Sequence, residues 1–237
     1  MLAILKREIS NFFTSPIAYL VMGIFLVITG LFLWVFKGPF NILDSGFADL
    51  TPFFEITPWI FVFLIPAITM RTFADERQLG TLELLLTKPL GINSIVLGKF
   101  MGAFLLVVIT LIPTLLYVYT VYILGNPPGN LDTGSIIGSY TGLLFLAGAF
   151  TAAGVFASSV SNNQIVAFIL AATLCFALLF LPHSISGLDP ALVWMAPLGI
   201  KYHFESISRG VLSLADLVYF LSITVLFISL TATFLKK

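Results

Sequence analysis

Apolar residues run along this chain in six long blocks, at 17–36, 53–70, 95–123, 136–156, 164–181 and 217–235. A hydrocarbon core about 30 Å thick is crossed by roughly 17 to 25 helical residues, so each block predicts one membrane span. The block at 53–70 is the most interrupted: Glu55 and Pro58 crowd its start, and Pro66, with no N–H to donate, should kink it. Ahead of the first block, residues 1–15 place Leu2, Leu5, Ile9 and Phe12 at helical spacing, with Lys6, Arg7, Glu8 and Asn11 elsewhere on the wheel. That pattern predicts a helix lying in the membrane interface, or else a charged flank that anchors topology, with Ser15 and Pro16 marking the bend into the first span.

The gaps are informative in different ways. Residues 182–216 stay apolar, yet Pro182, Pro190 and Pro197 break helical continuity. Two short helices at or dipping into the outer interface are expected there, with Trp194, Tyr202 and Phe204 at a depth that suits them. Within the blocks, Gly98 and Gly102 form a G-x-x-x-G, and Gly148, Ala149, Ala152, Ala153 and Ala157 recur at three- and four-residue intervals. Small residues so spaced let helix backbones approach closely, and packing within the bundle is their expected use.

Charge orients the six blocks. With the amino terminus in the cytoplasm and all six crossing, the inside collects Lys6, Arg7, Arg71, Arg77, Lys88, Lys99, Lys236 and Lys237, and the outside keeps Lys37, Lys201 and Arg209. Removing the second span would move its flanking basic loop to the wrong side, so the excess of Lys and Arg favours six spans with both termini cytoplasmic.

Composition agrees. The chain is 59% hydrophobic and 9% charged, about a third of the charge a soluble domain carries. It is expected to be one all-α polytopic membrane domain over 1–237, and the first span to be retained rather than cleaved as a signal peptide. Eleven basic and eleven acidic residues leave no net charge to attract nucleic acid, and the lone Cys175 supports neither a disulfide framework nor a cysteine metal cluster.

Candidate chemistry is sparse. Neither a G-x-x-x-x-G-K-[ST] phosphate loop nor a G-x-S-x-G or H-E-x-x-H signature occurs, so catalytic, cofactor-binding and metal residues are expected to be absent. His183 and His203, with Asp189 and Glu205, are read as interfacial polar residues, against the alternative of a metal or acid/base site for a membrane-embedded enzyme. Glu55, Lys99 and Asp216 fall near predicted span ends, where long side chains can snorkel to water. With no ionisable residue at mid-span, a proton-coupled antiporter is disfavoured. Thr110, Thr114 and Thr173 are candidates to line a polar pathway.

The exception is 74–91, "ADERQLGTLELLLTKPLG", where five charges surround a run of leucines. Asp75 and Gln78 resemble a capping box, Gly80 interrupts, and Thr81 is placed to cap a second short helix, Leu82 to Leu86, ended by Pro89 after Lys88. Leucine at 82, 84, 85 and 86 covers nearly the whole circumference. One face can rest on the bundle while the other needs apolar cover from a partner. A loop tucked under the bundle is the alternative.

"DERQLGTLELLLTKP" resembles the signature of the permease subunits of the ABC-2 type export family, at Glu76, Arg77, Gly80, Thr81, Leu82, Glu83, Leu85 and Leu86. The order of elements along the chain is similar throughout. More narrowly, "REISNFFTSPIAYLV", "FKGPFNILDSGFADLTPFF", "LELLLTKPL" and "SNNQIVAFI" resemble the gliding-motility-associated ABC permease subunit of gliding bacteria. The resemblance implies an inner-membrane permease that is not itself an enzyme. It implies a second permease, alike or different, and separate ATP-binding subunits that hold the ATP and Mg. The eight residues would form a coupling helix docked in a groove of the ATP-binding subunit, leucines supplying buried area and charges the rim, where a pair contributes about 0 to 1 kcal/mol. A membrane anchor or mechanical transducer driven by the same ATPase, passing no solute, is the alternative.

Overall fold

A computed structural model describes residues 1–83, 91–127, 129–187 and 189–236. In chain order the helices are α1 (Leu2–Thr14), α2 (Ile17–Trp34), α3 (Ile42–Ser45), α4 (Thr51–Thr69), α5 (Arg71–Gln78), α6 (Ile92–Leu111), α7 (Leu115–Leu124), α8 (Thr133–Val160), α9 (Gln164–Ser186), α10 (Ile200–Ser208) and α11 (Leu214–Phe234). Tight 3₁₀ turns at Ile112–Thr114 and Pro190–Leu198 join α6 to α7 and α9 to α10. No strand occurs among the described residues. Among the described residues six helical stretches are long and apolar enough to cross a membrane: Ile17–Trp34, Thr51–Gln78, Ile92–Leu124, Thr133–Val160, Gln164–Ser186 and Leu214–Phe234.

These six stretches divide into an interior and a rim. Buried residues make up 78% of the α8 span but 22% of the spans of α9 and α11, so α8 is the axis and the latter two face outward. Side-chain size explains this. At Gly154 a Cβ would run into Thr69 of α4, and at Gly138 it would run into the backbone carbonyl of Ile207 in α10. Gly142 lies against the Phe204 ring, 3.1 Å from where a Cβ would stand. Helices on several sides can therefore close on α8 at backbone distance.

Three expectations change. The helix at Gln164 runs through Pro182 to Ser186 instead of breaking at 181. The Pro182 ring packs on Gly199, 3.1 Å from where a Cβ would stand, so tertiary cover compensates for one missing backbone bond near the helix end. The third span stays continuous over Ile92–Leu124 but tightens to a 3₁₀ turn at Ile112–Thr114, where Pro113 has no N–H to donate. In α1 the stripe of Leu2, Leu5, Ile9 and Phe12 is not the buried face: Ile4 and Glu8 are. The reason lies on α6. Gly98 and Gly102 leave room there, with virtual Cβ positions 2.9 Å from Ile4 Cβ and 2.7 Å from Glu8 Cβ. The G-x-x-x-G thus seats the amino-terminal helix and not another span.

Candidate functional site

The sequence-derived coupling segment begins in α5, at the end of the bundle where α1 sits. α5 starts directly after α4, so its first N–H groups lack helical partners. Ser158 of α8 supplies them: its Oγ accepts from Phe73 N at 3.0 Å and Ala74 N at 3.1 Å, and donates to the Met70 carbonyl at 2.9 Å. One hydroxyl thereby fixes the turn between span and segment to the central helix.

The other end of α5 closes on a glycine. Gly80 has φ of +67°, a left-handed conformation that side chains with a Cβ disfavour. There the Gly80 N–H donates to the Arg77 carbonyl at 3.2 Å and the Thr81 N–H to the Glu76 carbonyl at 2.9 Å, the paired bonds of a Schellman stop. The Thr81 hydroxyl also reaches back to the Glu76 carbonyl. Gly80 and Thr81 therefore end α5, and helix resumes directly afterwards at Leu82 and Glu83, where the sequence pattern placed the start of a second short helix; its remainder lies outside the described residues. The expected capping box is replaced: Asp75 lies inside α5, and its carboxylate accepts from the Gln164 side chain.

Inside this frame sits a cluster of charges. Lys99 of α6 is 2% exposed and does not snorkel. Its Nζ lies 3.1 Å from Glu8 Oε1, 3.1 Å from Glu76 Oε1 and 2.6 Å from the Thr72 carbonyl, three oxygens for three N–H groups. Arg7 Nη2 approaches Glu76 Oε1 at 3.2 Å from the surface side. Two cations meet two carboxylates, so the group is neutral. The Lys99 ammonium also stands over the Phe73 ring, 5.0 Å from its centroid. Helices α1, α5 and α6 are joined by these contacts through a single buried ammonium.

The segment's residues divide accordingly. Glu76, expected at a partner's rim, is 9% exposed and belongs to the internal cluster. Leu82, expected to offer apolar surface, is 8% exposed and packs in a core with Ile4, Phe73, Ile95, Val96 and Leu235. Arg77 lies over the Phe234 ring of α11, 5.2 Å from its centroid. Glu83 is exposed. Leu85 and Leu86, with Lys88 and Pro89, lie outside the described residues. Sequence reasoning missed Glu8, Thr72 and Ser158, and misplaced Lys99. A lysine beside a glycine inside an apolar run was the available signal.

The remaining candidates separate. His203 Nδ1 is 2.6 Å from Asp216 Oδ1, its Nε2 is 2.8 Å from the Pro197 carbonyl, and its ring stacks on Tyr219 at 3.9 Å. Ser206 donates to the other Asp216 oxygen at 2.8 Å. Asp216 is thus a buried partner tying α10 to α11, where a snorkelling residue was expected. His183 lies elsewhere, 3.3 Å from Lys201 Nζ. Thr110 and Thr114 turn their hydroxyls to backbone carbonyls of their own helical turns, and Thr114 also meets Tyr140; both are fully buried rather than lining a path. Thr173 is exposed on α9.

No curated protein matches this chain. Residues 2–237 match the family described as ABC-2 family transporter protein, a stretch that takes in all six span-length helices and the charged junction at their base. The chain is therefore a multi-pass membrane protein and belongs to the ABC-2 family of transporter proteins.

Proposed function

We propose that the chain is the permease subunit of an ABC-type export complex, receiving the movement of a separate ATP-binding subunit at residues 76–86 and passing it to the spans. The observation that carries this reading is the junction. A push on α5 is delivered to α8 through Ser158 and to α6 and α1 through Lys99, with no flexible link among the described contacts. ATP and Mg belong to the partner, and two permease subunits complete the unit. The basic residues gathered near α1 support an inner-membrane orientation with both termini in the cytoplasm. The narrower resemblance of "FKGPFNILDSGFADLTPFF" and its companion stretches supports a role in gliding motility.

With Glu76 and Leu82 buried, docking is read onto exposed Glu83 and the leucines that follow it in the sequence. A Glu83→Arg, Leu85→Asp double variant is expected to insert and melt like the wild type while losing co-purification with the ATP-binding subunit. Undiminished co-purification overturns the docking assignment.

A further inference from the structure

At the end of the bundle remote from α1 lies a cavity of about 480 Å³, walled by the starts of α4 and α8, the end of α9 and the length of α10. That is the size range of sites for small ligands. Its charges are not evenly satisfied. Lys201 and Glu205 face each other at 3.6 Å across one turn of α10 and largely cancel. Glu55 of α4 and Arg209 at the end of α10 also line the cavity, and among the described residues neither has an ion-pair or side-chain hydrogen-bond partner. The cavity therefore presents one unmatched carboxylate and one unmatched guanidinium, on different walls.

Two serines refine the chemistry. Ser135 and Ser139 both direct their hydroxyl protons to the Ser208 carbonyl, at 2.8 and 3.4 Å, so toward the cavity they have only lone pairs to give. They favour a ligand group that donates, in the same cavity as the carboxylate that attracts a cation. A primary ammonium meets both demands; a quaternary one has no N–H for the serines. Arg209 offers the paired donors that suit a phosphate.

The cavity also has an apolar exit. Trp59 forms part of its wall and meets Phe176 and Phe180 of α9 at 6.4 and 6.0 Å, and those two rings stack at 5.2 Å. All three are about two-fifths exposed on the rim of a bundle that sits in lipid. A ligand with its polar group in the cavity has a ready track for hydrocarbon along this ridge.

We propose that this cavity binds the headgroup of a zwitterionic aminophospholipid, its ammonium at Glu55 with the Ser135 and Ser139 oxygens, its phosphate on Arg209, and its chains on the ridge of Trp59, Phe176 and Phe180. An anionic lipid leaves Glu55 unanswered, and a soluble zwitterion makes no use of the ridge. The site needs neither a partner subunit nor a direction of transport, so its test is independent of the export reading.

The test uses the full chain in mild detergent, titrated with phosphatidylethanolamine, phosphatidylglycerol, phosphatidylcholine and soluble glycerophosphoethanolamine, and read by native mass spectrometry. The wild type is expected to bind phosphatidylethanolamine about tenfold more tightly than the other lipids, the difference one charge-assisted contact supplies. Glu55→Gln should abolish that preference while phosphatidylglycerol still binds, and Arg209→Gln should weaken both lipids. Both side chains are exposed, and unchanged thermal melting of each variant would show that the fold is intact. Absence of preference in the wild type, or its survival in Glu55→Gln, overturns the proposal. Equal binding of the soluble headgroup overturns the lipid assignment in favour of a free zwitterion.

Discussion

Lys99 carries more of this structure than its position near a span end implied. Desolvating an ammonium is costly, and here the cost is met by two carboxylates and a carbonyl within 3.1 Å. Replacing it with methionine keeps the volume but leaves Glu8 and Glu76 buried side by side without their shared counter-ion. Breaking a buried pair in this way costs about 3 to 5 kcal/mol. Lys99→Met should therefore lower the thermal midpoint of the detergent-solubilised chain by on the order of 10 °C, and adding Glu8→Gln should recover part of the loss. A midpoint equal to that of the wild type would mean the carboxylates are not buried as described. The sequence showed a lysine in an apolar run; that its partners sit 91 residues upstream in α1 and 23 residues upstream in α5 follows only from how those helices pack.

Among the helices, α5 and α8 show how small residues set geometry. Gly80 holds a φ of +67° that costs an L-residue with a Cβ about 1 to 2 kcal/mol. Gly80→Ala should thus open the stop, and amide exchange at Thr81 and its neighbours should quicken by roughly tenfold; unchanged exchange would show that the bonds to Arg77 and Glu76 do not hold the turn. On α8, Gly154→Ala drives a methyl into Thr69, and overpacking of this kind costs about 1 to 3 kcal/mol. Gly23→Ala on α2 is the control. Nothing lies within 4 Å of its Cβ position, so its melting should stay within error of the wild type or rise slightly. Equal losses at the two sites would contradict the assignment of α8 as the axis. The G-x-x-x-G and the glycine-alanine face were legible as close-packing surfaces, but spacing carries no label for the helix that will occupy them.

Viewed entire, the molecule has two polar ends joined by an apolar middle, and α1 belongs to one of those ends as a structural member. Its predicted apolar stripe stays partly exposed, available to the membrane interface, while Ile4 and Glu8 lock into α6. Deleting residues 1–14 would take Glu8 from Lys99, leaving it Glu76 and the Thr72 carbonyl, and would open the seat at Gly98 and Gly102. The truncated chain should melt at least as far below the wild type as Lys99→Met does, whereas a helix serving only as a topological anchor would be lost with no change in melting. At the opposite end, the His203–Asp216 contact joins α10 to α11 and helps to shape the wall of the cavity that Glu55 and Arg209 share.

The chain's linear order determined the part governed by the solvent. Six apolar blocks of span length, the break at each end and the basic bias all come from transferring residues between water and hydrocarbon, which depends on composition over about 20 consecutive positions. The motif at 76–86 was visible for the same reason, as polar residues interrupting an apolar chain. Only the tertiary structure decided that Glu76 and Leu82 turn inward, that Glu8 leaves its apparent polar face for Lys99, that Ser158 holds the turn from α4 to α5, and that Glu55 and Arg209 line one cavity. Those outcomes depend on contacts between residues tens of positions apart, and a buried charge or a vacant glycine is resolved by whichever neighbour the packing brings within about 3 Å.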